Sequence, residues 1–384
     1  FLFFSSIICI SQAKITRPTT KASYKTIKDF GAIPNDGKDD TWAFIKAGKY
    51  FSNLWDINSV PLKEGKVNFS YASNSARLEI PSVTYLVGKK IDIPAEGIST
   101  TYGKIFGYPK ATAALKFSGD GSFKTGLELL KLSNSKNNID QVVIKGTGSV
   151  PPVIKYNDGL WIGFFNNKGV PLFLTDNDYN PRYRTSIATF ITIESCKNIV
   201  LENIEIDGNN IAADSKGKTI YGGGYGKHLL QTGASGTYII NTKNVSLNKL
   251  NIHHMTLDGI MYQDYYKDPQ KFPKQLNSNV SIKNVICNYN RRQGFSWVGG
   301  RSVLVENSKF NNTGILFTGI AAGNPGAGVD IEPEEDPNGN KLWCMDGRFI
   351  NCDFINNKGN ALVNDLTWQR TLSVSFDNCT FHDV

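Results

Sequence analysis

Cysteine is scarce, with six residues in a chain of 384. Cys9 belongs to an apolar opening run, which leaves Cys196, Cys287, Cys344, Cys352 and Cys379. An odd and widely spaced set excludes a small disulfide-framed scaffold. It reads instead as free thiols packed as small hydrophobes. Histidine is scarcer, four in all, and only His253 and His254 adjoin; no zinc-finger spacing results. Long apolar runs are also missing. The longest, at positions 1–10, falls short of the roughly 20 residues that span a bilayer. Lys and Arg outnumber Asp and Glu by 42 to 34, a net charge of +8. They form no block and no nucleic-acid motif, which argues against nucleic acid and for solubility or an anionic polymer as partner.

The opening run is followed by Ser11, Gln12 and Ala13. Apolar residues followed by small ones resemble the end of a secretory signal. No initiator Met or basic segment precedes them. Residues 1–13 are therefore expected to be part of a signal peptide, 14–23 a linker, and the protein secreted or periplasmic. Residues 24–384 are expected to form one domain whose repeat pattern runs to the end of the sequence without a cap, so the protein is expected to continue.

Repetition is the strongest signal within that domain. Segments 198–206, 244–252, 279–287, 302–310, 348–354 and 375–381 alternate apolar and polar residues, and most share a mid-repeat Asn. Asn284 and Asn307 stand 23 positions apart, one plausible coil, and Asn351 and Asn378 stand 27 apart. The step of 44 from Asn307 to Asn351 reads as two coils. Alternation within a fixed repeat predicts stacked parallel coils rather than a helical bundle. The shared Asn residues predict amide ladders with a structural role. Cys352 and Cys379 occupy equivalent positions and predict an interior stack, with a disulfide as the alternative.

Near the start, Asp29-Phe30-Gly31-Ala32 is followed by Asp36-Gly37 and Asp39-Asp40-Thr41. A short helical pattern comes next, then Ile80-Pro81 and Tyr85. Asp39, Asp40 and Thr41 offer capping oxygens to a helix carrying Trp42, Phe44, Ile45 and Ala47. Positions 78–87 and 90–94 read as strands. Over residues 24–94 this pattern resembles the N-terminal cap and first coil of the pectate-lyase-like superfamily. The resemblance implies an all-β, single-stranded right-handed parallel β-helix with a short capping helix. It implies action on polysaccharide but not which reaction. In region 100–190, Trp161, Phe164, Phe165, Tyr179 and Tyr183 predict loops that overhang a groove.

The chemistry is expected at Val329-Asp330-Ile331-Glu332. On a strand the period of two buries Val329 and Ile331 and brings Asp330 and Glu332 to one outer face. Two like charges so placed are costly unless they are used. Residues i and i+2 set their Cα atoms ~6.6 Å apart, compatible with inverting or retaining glycoside hydrolysis. The resemblance favours inversion. Glu332, nearer the bulky Trp297 coil and Pro333, reads as the acid and Asp330 as the base, the reverse order remaining open.

Aligned strands beginning at Asp258, Gln293, Ala327 and Gly359 predict a row of Met261, Ser296, Asp330 and Leu362. A second row holds Gln263, Val298, Glu332 and Asn364. Gln263, Asn364, Asp365, Arg291, Arg292 and His228 are then candidate substrate contacts. Trp297 is either core or a sugar-stacking platform. The first expectation is a monomeric, cofactor-free hydrolase on an anionic polysaccharide. The second is a lyase or epimerase, in which Arg291 or Arg292 neutralises a uronate and Asp330, Glu332, Glu334 and Glu335 hold Ca²⁺. The third is a non-catalytic carbohydrate-binding protein. The combined Asn-Thr-Asp, Asp-Asp and Gly-His-Gly set of polygalacturonases is missing, which argues against a pectin-specific hydrolase.

Overall fold

The computed structural model describes residues 24–54, 75–88, 115–117, 123–125, 130–132, 141–158, 161–164, 173–175, 184–185, 189–210, 220–222, 224–225, 235–274, 278–315, 323–364 and 368–382. The expected signal and linker, strand 90–94, Phe165, Tyr179, Tyr183, His228 and Asp365 lie outside the described residues.

One coil shows the plan. Val280–Lys283 is followed by Ile286–Asn288 and then Gln293–Trp297, after which Gly300–Glu306 starts the next coil. Each strand pairs in parallel with its counterpart one coil away: Val280 with Val303, Ile286 with Lys309, and Gln293 with Ala327. Parallel pairing requires the chain to return to the same end between neighbours. It does so by winding around a common axis, and the strand twist makes that winding right-handed. The fold is a right-handed parallel β-helix with three faces.

The first face runs from Tyr24–Thr26 through Gln141–Gly146 and Val280–Lys283 to Thr371–Asp377. The second runs from Thr84–Val87 through Ile286–Asn288 to Thr380–His382. The third comprises Leu130–Leu132, Ile191–Glu194, Thr237–Ile240, Asp258–Gln263, Gln293–Trp297, Ala327–Ile331 and Leu362–Val363. The ladder corrects one repeat length. Val303 pairs directly with Gly347, so the 44-residue step is one coil carrying an insertion, not two coils. Part of that insertion is closed by an antiparallel bridge between Glu335 and Lys341.

The recurring Asn residues have a backbone reason beyond their amides. Asn203, Asn284, Asn307, Asn351 and Asn378 all adopt left-handed φ between 50 and 58°. Asn tolerates that region better than other residues with a Cβ. Their side chains then bond along the axis: Asn378 donates to Asn351 at 2.7 Å and Asn351 to Asn307 at 3.2 Å. A corner residue thus turns the chain and joins two coils.

The interior is filled by like side chains in register. Phe310 stacks on Phe354 with centroids 5.7 Å apart, and Phe354 on Phe381 at 4.9 Å. Phe354 is fully buried. Phe354→Ala leaves a cavity between coils and is expected to destabilise the fold by about 3–5 kcal/mol, read from the denaturant midpoint. All five described cysteines are free thiols. Cys352, one coil from Cys379, donates to the Ile350 carbonyl at 3.3 Å, and burial pushes its thiol up to about 11. The interior stack therefore forms without a disulfide.

At the start, strand Tyr24–Thr26 passes into a 3-10 turn, Ile27–Phe30, which ends at Gly31 with φ of 98°. Helix Thr41–Leu54 follows and buries Phe44, Ala47 and Phe51 over the first coils. Trp42 lies on its outer side, 53% exposed. The Gly88 N–H donates to Thr41 Oγ1 at 2.7 Å and ties the helix to the sheet. Among the described residues no helix is long and apolar enough to cross a membrane.

Candidate functional site

The third face carries the acidic strand. Its strands open at a crowded place. A Cβ on Gly294 would lie 2.5 Å from the Gly328 carbonyl oxygen, and one on Gly328 would lie 2.7 Å from that of Ala361. Only glycine fits, and this pins where each strand begins. Beyond that point the side chains alternate. Phe295, Trp297, Val329 and Ile331 enter the core, each at most 1% exposed. Tyr238, Met261, Ser296 and Asp330 form an outer row by register, continued by Val363. Glu194, Ile240 and Gln263 form a parallel row. The Glu332 N–H donates to the Trp297 carbonyl at 3.0 Å and extends the ladder past the strand end.

Asp330 is only 2% exposed, and the Gln293 side-chain amide donates to its Oδ2. Beside it, Arg292 grips Asp258 in a fork: Nε to Oδ1 at 2.8 Å and Nη2 to Oδ2 at 2.6 Å. The Asp258 side chain is fully buried and that of Arg292 is 14% exposed. Burial works against the Arg292 charge, yet Asp258 first, then Asp330 and Glu332, hold it above its ordinary range. Burial likewise pushes the Asp258 carboxyl up, against the pull of Arg292. Glu334 is raised by burial too, opposed by Arg292 and Arg370. Tyr238 donates to Gln263 Oε1 at 3.0 Å. Burial raises its phenol, and Tyr265, Glu334, Glu194 and Asp258 add to that. One guanidinium therefore sits in the field of Asp258, Asp330, Glu332 and Glu334.

The structure gathers Asp330, Glu332, Arg292 and Gln263 on or at the edge of this face. Arg291 is fully buried, with its N–H on the Met255 carbonyl at 3.1 Å. Trp297 is in the core, its indole N–H donating to Gly299 O at 3.1 Å. It presents no surface for a sugar to stack on. The last strand is shifted by one residue from the sequence alignment: Val363, not Leu362, is opposite Asp330. Such a step moves every side chain to the other face. Asn364 is exposed and accepts from Thr371 at 3.4 Å.

Asp258, Gln293, Tyr238 and Glu194 belong to this constellation and were not singled out as site residues from the sequence; Glu334, read there only as a Ca²⁺ ligand of the lyase alternative, belongs to it as well. Asp258 and Gln293 carried a signal, since each directly precedes an aligned glycine. Among the described residues, the acidic groups of this face do not bring three ligand atoms within 4.8 Å of one another.

No family model matches the chain, and no curated protein matches it. Solved structures of similar fold include the A-module of the mannuronan C-5 epimerase AlgE4 of Azotobacter vinelandii. It is 12% identical over 93% of this chain and 77% of that one, with a TM-score of 0.36. A family 28 exopolygalacturonase of Yersinia enterocolitica is 12% identical, covering 94% of this chain and 63% of that one, TM-score 0.36. PfbA, a surface adhesin of Streptococcus pneumoniae, is 12% identical over 94% and 78%, TM-score 0.32. The likeness is one of fold.

Proposed function

We propose that the protein is a secreted, monomeric glycoside hydrolase that binds a polysaccharide across the outer side of the third face. Asp330 acts as base and Glu332 as acid. The observation that carries this reading is the pair itself: two carboxylates on alternate residues, fixed to a rigid parallel sheet, with Asp330 held by Gln293. Asp330 takes a proton from water, whose oxygen bonds to the anomeric carbon. Glu332 gives a proton to the glycosidic oxygen as that carbon–oxygen bond breaks, and the configuration inverts.

The Arg292 fork favours hydrolysis over β-elimination. A lyase needs positive charge to neutralise the uronate carboxylate and a base to take the adjacent proton. Arg292 is already committed to Asp258 and is held protonated by three carboxylates. Locally, the charge around Arg292 is acidic despite the +8 net charge of the chain. Among the described residues around Arg292 are Asp258, Asp330, Glu332 and Glu334. The cleavage position therefore suits a sugar without a carboxylate, and any anionic part of the polymer would be held elsewhere.

Chelation tests the metal-free reading. Activity is expected to survive EDTA, with reducing ends released and no rise in absorbance from unsaturated uronate. Loss under EDTA that Ca²⁺ restores, together with that absorbance, would establish the lyase instead. Glu334→Gln addresses the neighbouring acid, whose carboxyl is raised by burial. With Glu332 as acid, this variant keeps the alkaline limb of the pH–rate profile; disappearance of the limb would transfer the role to Glu334.

A further inference from the structure

On the second face, the corner ladder changes character at one end. In later coils the corner is mostly amide, Tyr289 excepted: Asn312 donates to Asn288 Oδ1 at 2.8 Å, and Asn356 donates to Asn312. By register, Asn288 pairs with His253 and His253 with Asp207. Three contiguous places in this corner are thus filled by Asp207, His253 and His254. Adjacent residues on a strand normally point to opposite faces. His254 instead adopts φ of 54° and turns back, so that its Nδ1 lies 2.7 Å from that of His253.

Asp207 Oδ1 is 3.6 Å from His253 Nδ1, and one ligand atom from each of the three residues falls within 4.8 Å of the others. The surroundings hold these groups in place. Glu205 lies 3.4 Å from His253 Nε2, on the ring edge away from His254. A carboxylate on the far nitrogen of an imidazole orients a metal-binding histidine. The His254 ring stacks on Tyr289 at 5.4 Å and 18°. Asp207 Oδ1 also accepts the Asn209 N–H at 2.7 Å.

We propose that Asp207 Oδ1, His253 Nδ1 and His254 Nδ1 form a three-donor site for a divalent transition-metal cation, with water completing its shell. Two imidazoles and a carboxylate suit Zn²⁺, and imidazole favours first-row transition metals over Ca²⁺ or Mg²⁺. Nitrogens bonded at about 2.0–2.1 Å to a tetrahedral ion stand about 3.3 Å apart. The two rings would therefore separate by roughly half an ångström on binding. Lys155 Nζ, 3.3 Å from Asp207 Oδ2, is the group that opposes a cation here. Its side chain is one-third exposed and can swing into solvent. Bound metal would clamp two successive coils at their corner, a role independent of hydrolysis on the third face.

The test is titration of the intact protein with Zn²⁺, followed by calorimetry and thermal midpoint, with Ca²⁺ and Mg²⁺ as parallel arms. Zn²⁺ is expected to bind one per chain and raise the midpoint, and the other two to do neither. His253→Asn with His254→Asn supplies the residue type found two coils on, at Asn311 and Asn312. It is expected to fold and to lose Zn²⁺ affinity by about 100-fold or more, since outer-shell changes alone cost about 10- to 100-fold. Glu205→Gln should show that smaller loss. Lys155→Met, which removes the opposing charge, should bind Zn²⁺ more tightly than the unaltered chain. A hydrogen-bonded network that takes no metal would show no such gain. Zn²⁺ binding that survives the double Asn variant, an absence of binding by the unaltered chain, or no change in Lys155→Met would each overturn the proposal.

Discussion

Asp330→Asn is expected to lower the hydrolytic rate by about 10²- to 10⁴-fold, the contribution of a positioned general base, while leaving the fold intact. Asn keeps the shape and one acceptor oxygen, so the Gln293 amide that now donates to Asp330 Oδ2 retains a partner. What disappears is the capacity to take a proton from water. Glu332→Gln should cost a similar factor on a natural polysaccharide, whose leaving group needs protonation. On an aryl glycoside with a good leaving group the two variants should part: Glu332→Gln recovers most of its rate and Asp330→Asn does not. Recovery by Asp330→Asn instead would exchange the two roles. Full activity in both variants would remove the pair from catalysis.

The second large effect is on stability. Arg292→Met leaves Asp258 fully buried with its fork partner gone. An uncompensated buried charge costs about 3–5 kcal/mol, which should be visible as a lower denaturant midpoint. The cost comes from the orphaned carboxylate, so removing it should restore most of the loss. Arg292→Met combined with Asp258→Leu is expected to approach the stability of the unaltered chain, because replacing a whole buried pair by apolar groups is close to neutral. Catalysis should not recover in the double variant, since the field of Arg292 on Asp330 and Glu332 is gone. A double variant no more stable than Arg292→Met would show that the fork is not the main contribution of these residues.

The fold was legible because its cause is repeated along the chain. Alternation and a recurring Asn each reflect a coil that stacks on a copy of itself. The left-handed φ of Asn284 and Asn307 is the physical reason the residue recurs. Where a coil carries an insertion, spacing misleads: the direct pairing of Val303 with Gly347 cannot be inferred from a gap that equals two coils.

The candidate site was legible in part. Asp330 and Glu332 could be read because Asp330 lies on a strand whose ladder Glu332 continues by one residue, and the period of two relates them. Asp258 and Arg292 are 34 positions apart and meet only through the lateral register of two coils. Trp297 shows the same limit, since an aromatic beside a groove and one in the core look alike until its fully buried side chain is seen. The final strand differs by one residue, opposing Val363 to Asp330, because the segment between the two strands gives no marker of register.

Hydrolysis of glycosidic bonds through Asp330 and Glu332 is the activity proposed for the third face. Its most direct test is reducing-end release from a panel of neutral and anionic polysaccharides, with ultraviolet absorbance followed in the same samples. The unaltered protein is predicted to release reducing ends from at least one polymer without forming unsaturated uronate, and Asp330→Asn to slow that release by about 10²-fold or more. Unsaturated product from the unaltered protein, or undiminished release by Asp330→Asn, would contradict it.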